Sequence, residues 1–138
     1  MKVDYKIPGA QGVWTELFSD SSQKSVEAFE PSFGDVVQTE PLYGSLTPFR
    51  ANRGNTSAIV PLAGWITYAS EGAAINSIAA MRAIFRGATV HLRVKPNLGN
   101  VICYYGNGAL RSYRARVMGL SVLHQFEFET DDVSTTEP

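Results

Sequence analysis

The sequence has little charge. Asp, Glu, Lys and Arg make up 18% of its 138 residues, and 12 basic against 13 acidic residues leave a net charge of −1. Typical domains carry charge on about a quarter of their residues, so less of this surface than usual is charged. A chain without a basic field attracts phosphates poorly, and we expect no specific nucleic-acid binding. Weak self-repulsion is compatible with self-association.

Cysteine and long apolar runs are also scarce. Cys103 is the only cysteine, which excludes an internal disulfide, and its place in the apolar run VICYY predicts a buried core thiol. The first residues, MKVDYKIPGAQG, lack the apolar segment of a signal peptide, and no run is long enough to span a bilayer. We therefore expect a protein that is made in a reducing cytoplasm and has no membrane partner.

Catalytic motifs are missing as well. The sequence contains no H-E-x-x-H and no G-x-S-x-G, and the GNG at 106–108 lacks the lysine and the following helix of a phosphate loop. The two histidines, His91 and His124, cannot by themselves form a closed metal site. We expect no enzyme activity, no metal and no cofactor.

What the sequence does contain is organised around residues 57–94. The run SAIVPLAGWITYA predicts a strand with two apolar faces, and ATVHLRV predicts a strand with alternating faces. Between them, Ser70 is a suitable N-cap and Gly87 a suitable stop for a helix at about 71–86. Its stripe of larger apolar residues predicts a face that packs on the sheet.

Later residues predict antiparallel strands. A turn at 106–108 is predicted to end the strand VICYY, and a hairpin is predicted around Gly119. A turn centred on Gly119 places Leu110 opposite Phe128 and Arg111 opposite Glu127. The fold class is α+β, mostly β: an antiparallel β-sandwich or barrel flanked by one helix.

The chain reads as a single domain, 1–138, with three parts. Residues 1–55 are interrupted by prolines and predict an extended, irregular arm that packs on its own core or on a neighbour. Residues 56–130 are the β-helix-β core, and 131–138 a frayed polar tail.

Several positions predict a subunit interface rather than an active site. The back of the helix carries small or uncharged residues, one face of the 57–69 strand is apolar beyond what a core needs, and RSYRAR at 111–116 interleaves arginine with tyrosine. The arginines favour a charge-paired sheet face or a subunit contact, with nucleic acid as the weaker alternative. The candidates are Asn76, Ala80, Ala83, Ile59, Trp65, Arg111, Arg114, Arg116 and His124.

The order of these features resembles the small structural proteins of tailed-phage tails. Gly54-Asn55 leads into a strand ending at Tyr68, a helix reaches Gly87, and VHLRV, YYGNGALRSYR and LSVLHQFEFETD follow. Over residues 50–132 this layout is similar to that of tail-tube, tail-completion and distal-tail proteins. The resemblance implies a non-enzymatic virion protein that forms homo-oligomeric rings and binds other tail proteins.

Two other functions remain open from the sequence. Trp65, Tyr68 and Tyr104 could line the cavity of a small-ligand-binding β-barrel. His91 or His124 could act with a carboxylate that the fold brings close, as in a small enzyme.

Overall fold

A computed structural model describes residues 1–9, 12–40, 49–97 and 99–138. Within these ranges the chain forms nine strands and one helix. In chain order they are β1 (Lys2–Lys6), β2 (Thr15–Phe18), β3 (Lys24–Phe29), β4 (Ser32–Glu40), β5 (Phe49–Thr67), α1 (Glu71–Phe85), β6 (Val90–Lys95), β7 (Cys103–Met118), β8 (Ser121–Thr130) and β9 (Val133–Ser134).

The strands form one antiparallel sheet in the order β2-β1-β6-β7-β8-β5-β3, with β4 also pairing β5 and β9 pairing β7. In the described residues the outer strands β2 and β3 follow one another in the chain without pairing, so the sheet is open. The predicted class, α+β and mostly β with one flanking helix, is confirmed for this part of the chain.

Side-chain packing between distant strands stabilises the curvature of the open sheet. The ring of Phe18 on β2 lies against Gly64 on β5, so closely that a Cβ at position 64 would stand 2.4 Å from it. Phe18 also contacts Phe126 on β8, with ring centroids 6.1 Å apart. Strands far apart in the sheet order therefore share one core. Its fully buried members include Val3, Leu17, Phe18, Val60, Leu62, Phe85, Val90, Leu92 and Phe128.

The helix begins and ends where the sequence predicts. The Ser70 hydroxyl accepts a hydrogen bond from the Ala73 N–H at 3.1 Å, and Gly87 adopts a φ of +70° just beyond the last turn. Its last residue, Phe85, is fully buried and meets the rings of Phe126 and Phe128 edge-on at 5.2 and 5.5 Å. These contacts fasten α1 to the inner face of the sheet.

The first 40 residues are more regular than the sequence predicts. Instead of an irregular arm, they supply β1 to β4, because Val3, Leu17 and Phe18 bury completely in the core. Pro8 and Pro31 lie between strands and so do not interrupt their pairing. Pro41 and Pro48 fall outside the described residues.

The turn predicted at 106–108 is wrong. β7 continues through it as one strand, and Asn107 takes a φ of +49° in a bulge opposite β6. The Asn107 N–H donates to His91 Nδ1 at 3.0 Å, and a Cβ on Gly108 would lie 2.8 Å from the Val90 carbonyl oxygen. Asn107 allows the bulge, and Gly108 allows the close approach of the β6 backbone. Both roles need the same residue types as a turn, which explains the wrong prediction.

The hairpin around Gly119 is confirmed, with a two-residue turn between Met118 and Ser121. Leu110 pairs with Phe128 as predicted. Arg111 instead forms a bulge, because the turn is one residue longer than the predicted one. That bulge restores the alternation that keeps polar side chains outside.

Replacing Gly64 by alanine tests the packing of Phe18 on β5. The added methyl group would collide with a fully buried ring, so we expect the free energy of unfolding to fall by about 1–3 kcal/mol. Urea denaturation measures the change. Gly72→Ala is the matched control, because nothing lies within 4 Å of its Cβ position on α1, and alanine favours a helix. An equal loss in both variants would contradict the packing argument.

Candidate interaction surfaces

One face of the sheet gathers four of the candidate residues. Trp65 on β5 pairs with Leu123 on β8, which in turn pairs with Arg116 on β7. Two residues along each strand, Arg114 occupies the equivalent position on β7. Ile59 shares this face of β5, since alternate residues point the same way. The intervening residues of β5, such as Val60 and Leu62, are buried on the other side. We call this surface, away from α1, the outer face.

Arg111 joins the outer face through two acidic residues. Its guanidinium lies 3.4 Å from a Glu127 carboxylate oxygen and 3.9 Å from one of Glu129. This is the charge-paired sheet face that the arginines of RSYRAR predict. All three side chains are substantially exposed, so the pairs contribute little stability by themselves. The pairing leaves Arg114 and Arg116 as exposed cations nearby.

Three further candidates lie on the helix, beyond the inner face of the sheet. Asn76, Ala80 and Ala83 are all exposed. Asn76 and Ala80 line an almost wholly apolar groove of about 440 Å³ together with Tyr68, Ala73, Ser77, Met81 and Ile84. A helix surface that faces solvent usually carries charged or polar side chains, and this groove has few polar atoms. We call this the helix groove.

His124, for which the sequence left open a half-buried histidine or an interface residue, is buried in the structure. Its side chain is fully buried beneath α1, between two tyrosines. The Tyr68 hydroxyl lies 2.9 Å from Nε2 and the Tyr113 hydroxyl 2.7 Å from Nδ1. A neutral imidazole has one donor and one acceptor nitrogen, so this pair of hydroxyls satisfies it completely. Burial lowers the pKa of His124 to about 4 and raises the pKa of Tyr113 to about 12.

His91 is also less exposed than predicted. The alternation in ATVHLRV predicts that His91 points outward, opposite to Val90 and Leu92, yet only 7% of its surface is exposed. Its Nδ1 accepts the Asn107 N–H, so it holds the bulge of β7. Burial and the positive charge of Lys6 lower the pKa of His91, while the Asp131 carboxylate acts in the opposite direction.

A buried acidic residue was not anticipated from the sequence. Asp4 on β1 is 1% exposed, and one of its carboxylate oxygens accepts two hydrogen bonds from Arg93, at 2.7 and 3.0 Å. The amines of Lys2 and Lys95 lie 3.6 and 3.8 Å from the carboxylate. Asp4 and Arg93 are directly paired across β1 and β6. No local pattern could have found this, because the strands are 89 residues apart in the chain.

The polar tail is more ordered than predicted. Val133 and Ser134 form β9 and pair with Tyr105 and Tyr104 on β7. The Asp131 N–H donates to the Gly106 carbonyl oxygen at 2.9 Å. Every residue from 131 to 138 nevertheless remains exposed. The tail therefore lies on the surface of the domain without entering its core.

The aromatic residues of the ligand-cavity hypothesis do not converge. Trp65 lies on the outer face, Tyr68 bonds to His124 beneath α1, and Tyr104 meets Trp14 at 5.9 Å. In the ranges that the structure describes, no group of three or more His, Cys, Asp or Glu residues is arranged to hold a metal ion. Within those ranges, no helix is long and apolar enough to cross a membrane.

The chain has a similar fold among solved structures but no match among sequences. No protein-family model and no curated protein sequence matches the chain. Among solved structures, it is similar to a chain in the cryo-EM structure of the anti-feeding prophage (AFP) baseplate, 6-fold symmetrised. The TM-score is 0.53 at 9% sequence identity, over 96% of this chain and 89% of that chain. This likeness shows a shared fold.

The buried histidine makes stability depend on pH. An unfolded imidazole takes up a proton near pH 6.5, whereas folded His124 resists protonation down to about pH 4. Acid therefore favours the unfolded chain in that window, and the loss reaches about 3 kcal/mol at its lower end. Urea denaturation between pH 7 and pH 4 measures it, with His124→Gln as the control without an imidazole. Equal pH dependence in the two proteins would contradict the assignment.

Proposed function

We propose that this protein is a non-enzymatic structural subunit of a phage tail or of a related tail-like particle. It assembles into homo-oligomeric rings and binds other tail proteins in the virion. The observation that carries the proposal is the likeness in fold, across nearly the whole chain, to a chain of a six-fold symmetrised prophage baseplate. The low charge and the two candidate surfaces support the same function.

The edges of the sheet favour head-to-tail association. Beyond residue 108, the described part of β7 pairs with β8 alone, and this free edge carries exposed Arg114 and Arg116. The far side of the sheet has β3 at its edge, with Glu27 and Glu30 exposed. Two different and oppositely charged patches on one subunit fit a heterologous contact, and such contacts close into rings when the rotation allows it.

The helix groove supplies a second contact. Its small residues at Ala73 and Ala80 permit the close approach of another backbone, and its polar atoms are few. An apolar surface rimmed by polar residues is typical of a protein interaction site. The groove lies beyond the inner face of the sheet, so the arginine-bearing edge and the groove can be occupied at the same time by different neighbours.

Charge reversal tests the head-to-tail contact. Arg114→Glu with Arg116→Glu should prevent ring formation, because acidic patches would then face each other, and Glu27→Lys with Glu30→Lys should do the same. An equimolar mixture of the two variants should form rings again, since each junction then joins opposite charges. Light scattering and electron microscopy measure assembly, and circular dichroism checks folding. Folded variants that assemble normally alone, or that fail to assemble when mixed, would contradict this contact.

A single arginine tests the helix groove. Ala80→Arg places a charged side chain in the apolar groove. We therefore expect assembly to require at least a tenfold higher protein concentration. Ile75→Arg adds the same charge on the same helix at an exposed residue outside the groove. The groove is not an interface if the two substitutions have the same effect on assembly while both proteins stay folded.

A further inference from the structure

A cationic and aromatic face lies where β1, β6 and the start of β2 meet. The indole of Trp14 is flanked by Lys6, whose amine lies 4.8 Å from the ring centroid, and by Arg93, whose guanidinium carbon lies 4.6 Å from it. Arg93 is fixed from below by the buried Asp4 carboxylate. A cation over an indole is attracted to its π-face. The three side chains therefore form a preorganised surface, which we call the Trp14 face.

The chain's own tail covers this face. The Trp14 indole N–H donates to a Glu137 carboxylate oxygen at 2.7 Å, and the Lys6 amine lies 3.9 Å from the same oxygen. Lys6 also donates to the Pro138 carbonyl oxygen at 3.4 Å. Upstream, β9 extends the sheet beside Tyr104. An extended acidic segment is thus held by a short strand pairing, one indole and one amine.

The two partners differ in how firmly they are held. The Arg93 side chain is held by two hydrogen bonds to Asp4, whose side chain is 2% exposed, and Lys6 belongs to β1. The whole tail, 131–138, is exposed, and its strand is two residues long. The tail can therefore leave with little loss of packing, while the face keeps its geometry.

We propose that the Trp14 face is a docking site for an extended acidic segment, and that the 131–138 segment of a second copy occupies it in trans. An identical segment makes identical contacts, so the exchange needs no new complementarity and costs little free energy. The short link from Thr130, the last residue of β8, to β9 is the hinge. At low protein concentration the tail docks in cis, since its own face is nearest. In an assembly, the neighbour's tail competes at a comparable local concentration.

Site-directed cross-linking tests both parts of the proposal in the full chain. Cys103→Ser removes the native thiol, and Val13→Cys and Thr136→Cys introduce thiols beside Trp14 and Glu137 without replacing either. With a short bismaleimide, the double variant should give an intrachain 13–136 link in dilute solution. An equimolar mixture of the two single variants, one of them isotopically labelled, should give interchain 13–136 links at high concentration, detected by mass spectrometry.

A charge change in the tail provides the control. Glu137→Lys in the Thr136→Cys chain should reduce the link yield roughly tenfold, because it removes a charge-assisted hydrogen bond and opposes Lys6. Thr135→Lys adds a lysine beside the contact and should have a much smaller effect. Equal effects of the two lysines would overturn the assigned contacts.

The remaining outcomes separate this site from the proposed function. A missing intrachain link overturns the docking site, whether or not rings form. An intrachain link without any interchain link in concentrated or assembled protein overturns the exchange. Interchain 13–136 links in a protein whose rings are abolished by charge reversal at Arg114 and Arg116 would support the exchange independently of the ring contact.

Discussion

The fold depends on the aromatic contacts of Phe126. Its ring, 3% exposed, meets Tyr113 at 4.9 Å, Phe85 at 5.2 Å, Phe128 at 5.6 Å and Phe18 at 6.1 Å. These neighbours belong to β7, α1, β8 and β2. An open sheet has no hydrogen bonds that join its outer strands, so its curvature depends on such side-chain contacts. The bare backbone at Gly64 makes room for the Phe18 ring and hence for the whole arrangement.

In the described part of the chain, the candidate groups for recognition lie on the surface rather than in the core. His124, the best acid-base candidate by residue type, is bonded by Tyr68 and Tyr113 and kept neutral by burial. Outward-facing charged groups occur instead at the arginine-bearing edge of β7 and around Trp14.

Local signals were predictable from the sequence and long-range pairings were not. Ser70 and Gly87 gave the helix bounds correctly, because capping depends on residues within one turn. The Asp4–Arg93 pair and the Phe18–Gly64 contact join segments that are far apart in the sequence. The hydrophobic periodicity within each segment does not show that the two segments meet. The turn predicted at Gly106-Asn107-Gly108 was wrong because a bulge and a turn require the same residue types, which tolerate a positive φ. Alternation put His124 on the same strand face as Phe126 and Phe128, but it could not tell whether the helix or a second subunit covers that face.

The proposed contacts share a physical property that suits assembly. The arginine edge relies on exposed charges, and exposed ion pairs are individually worth at most about 1 kcal/mol. The helix groove and the Trp14 face are each small surfaces. A single pair of subunits joined by one such contact would separate readily. In a closed ring, each subunit makes its contacts to both neighbours at once, and a second contact forms at a high effective concentration once the first exists. Weak and separate surfaces therefore favour a complete ring over partial assemblies, and salt should weaken the charged contacts before the apolar groove.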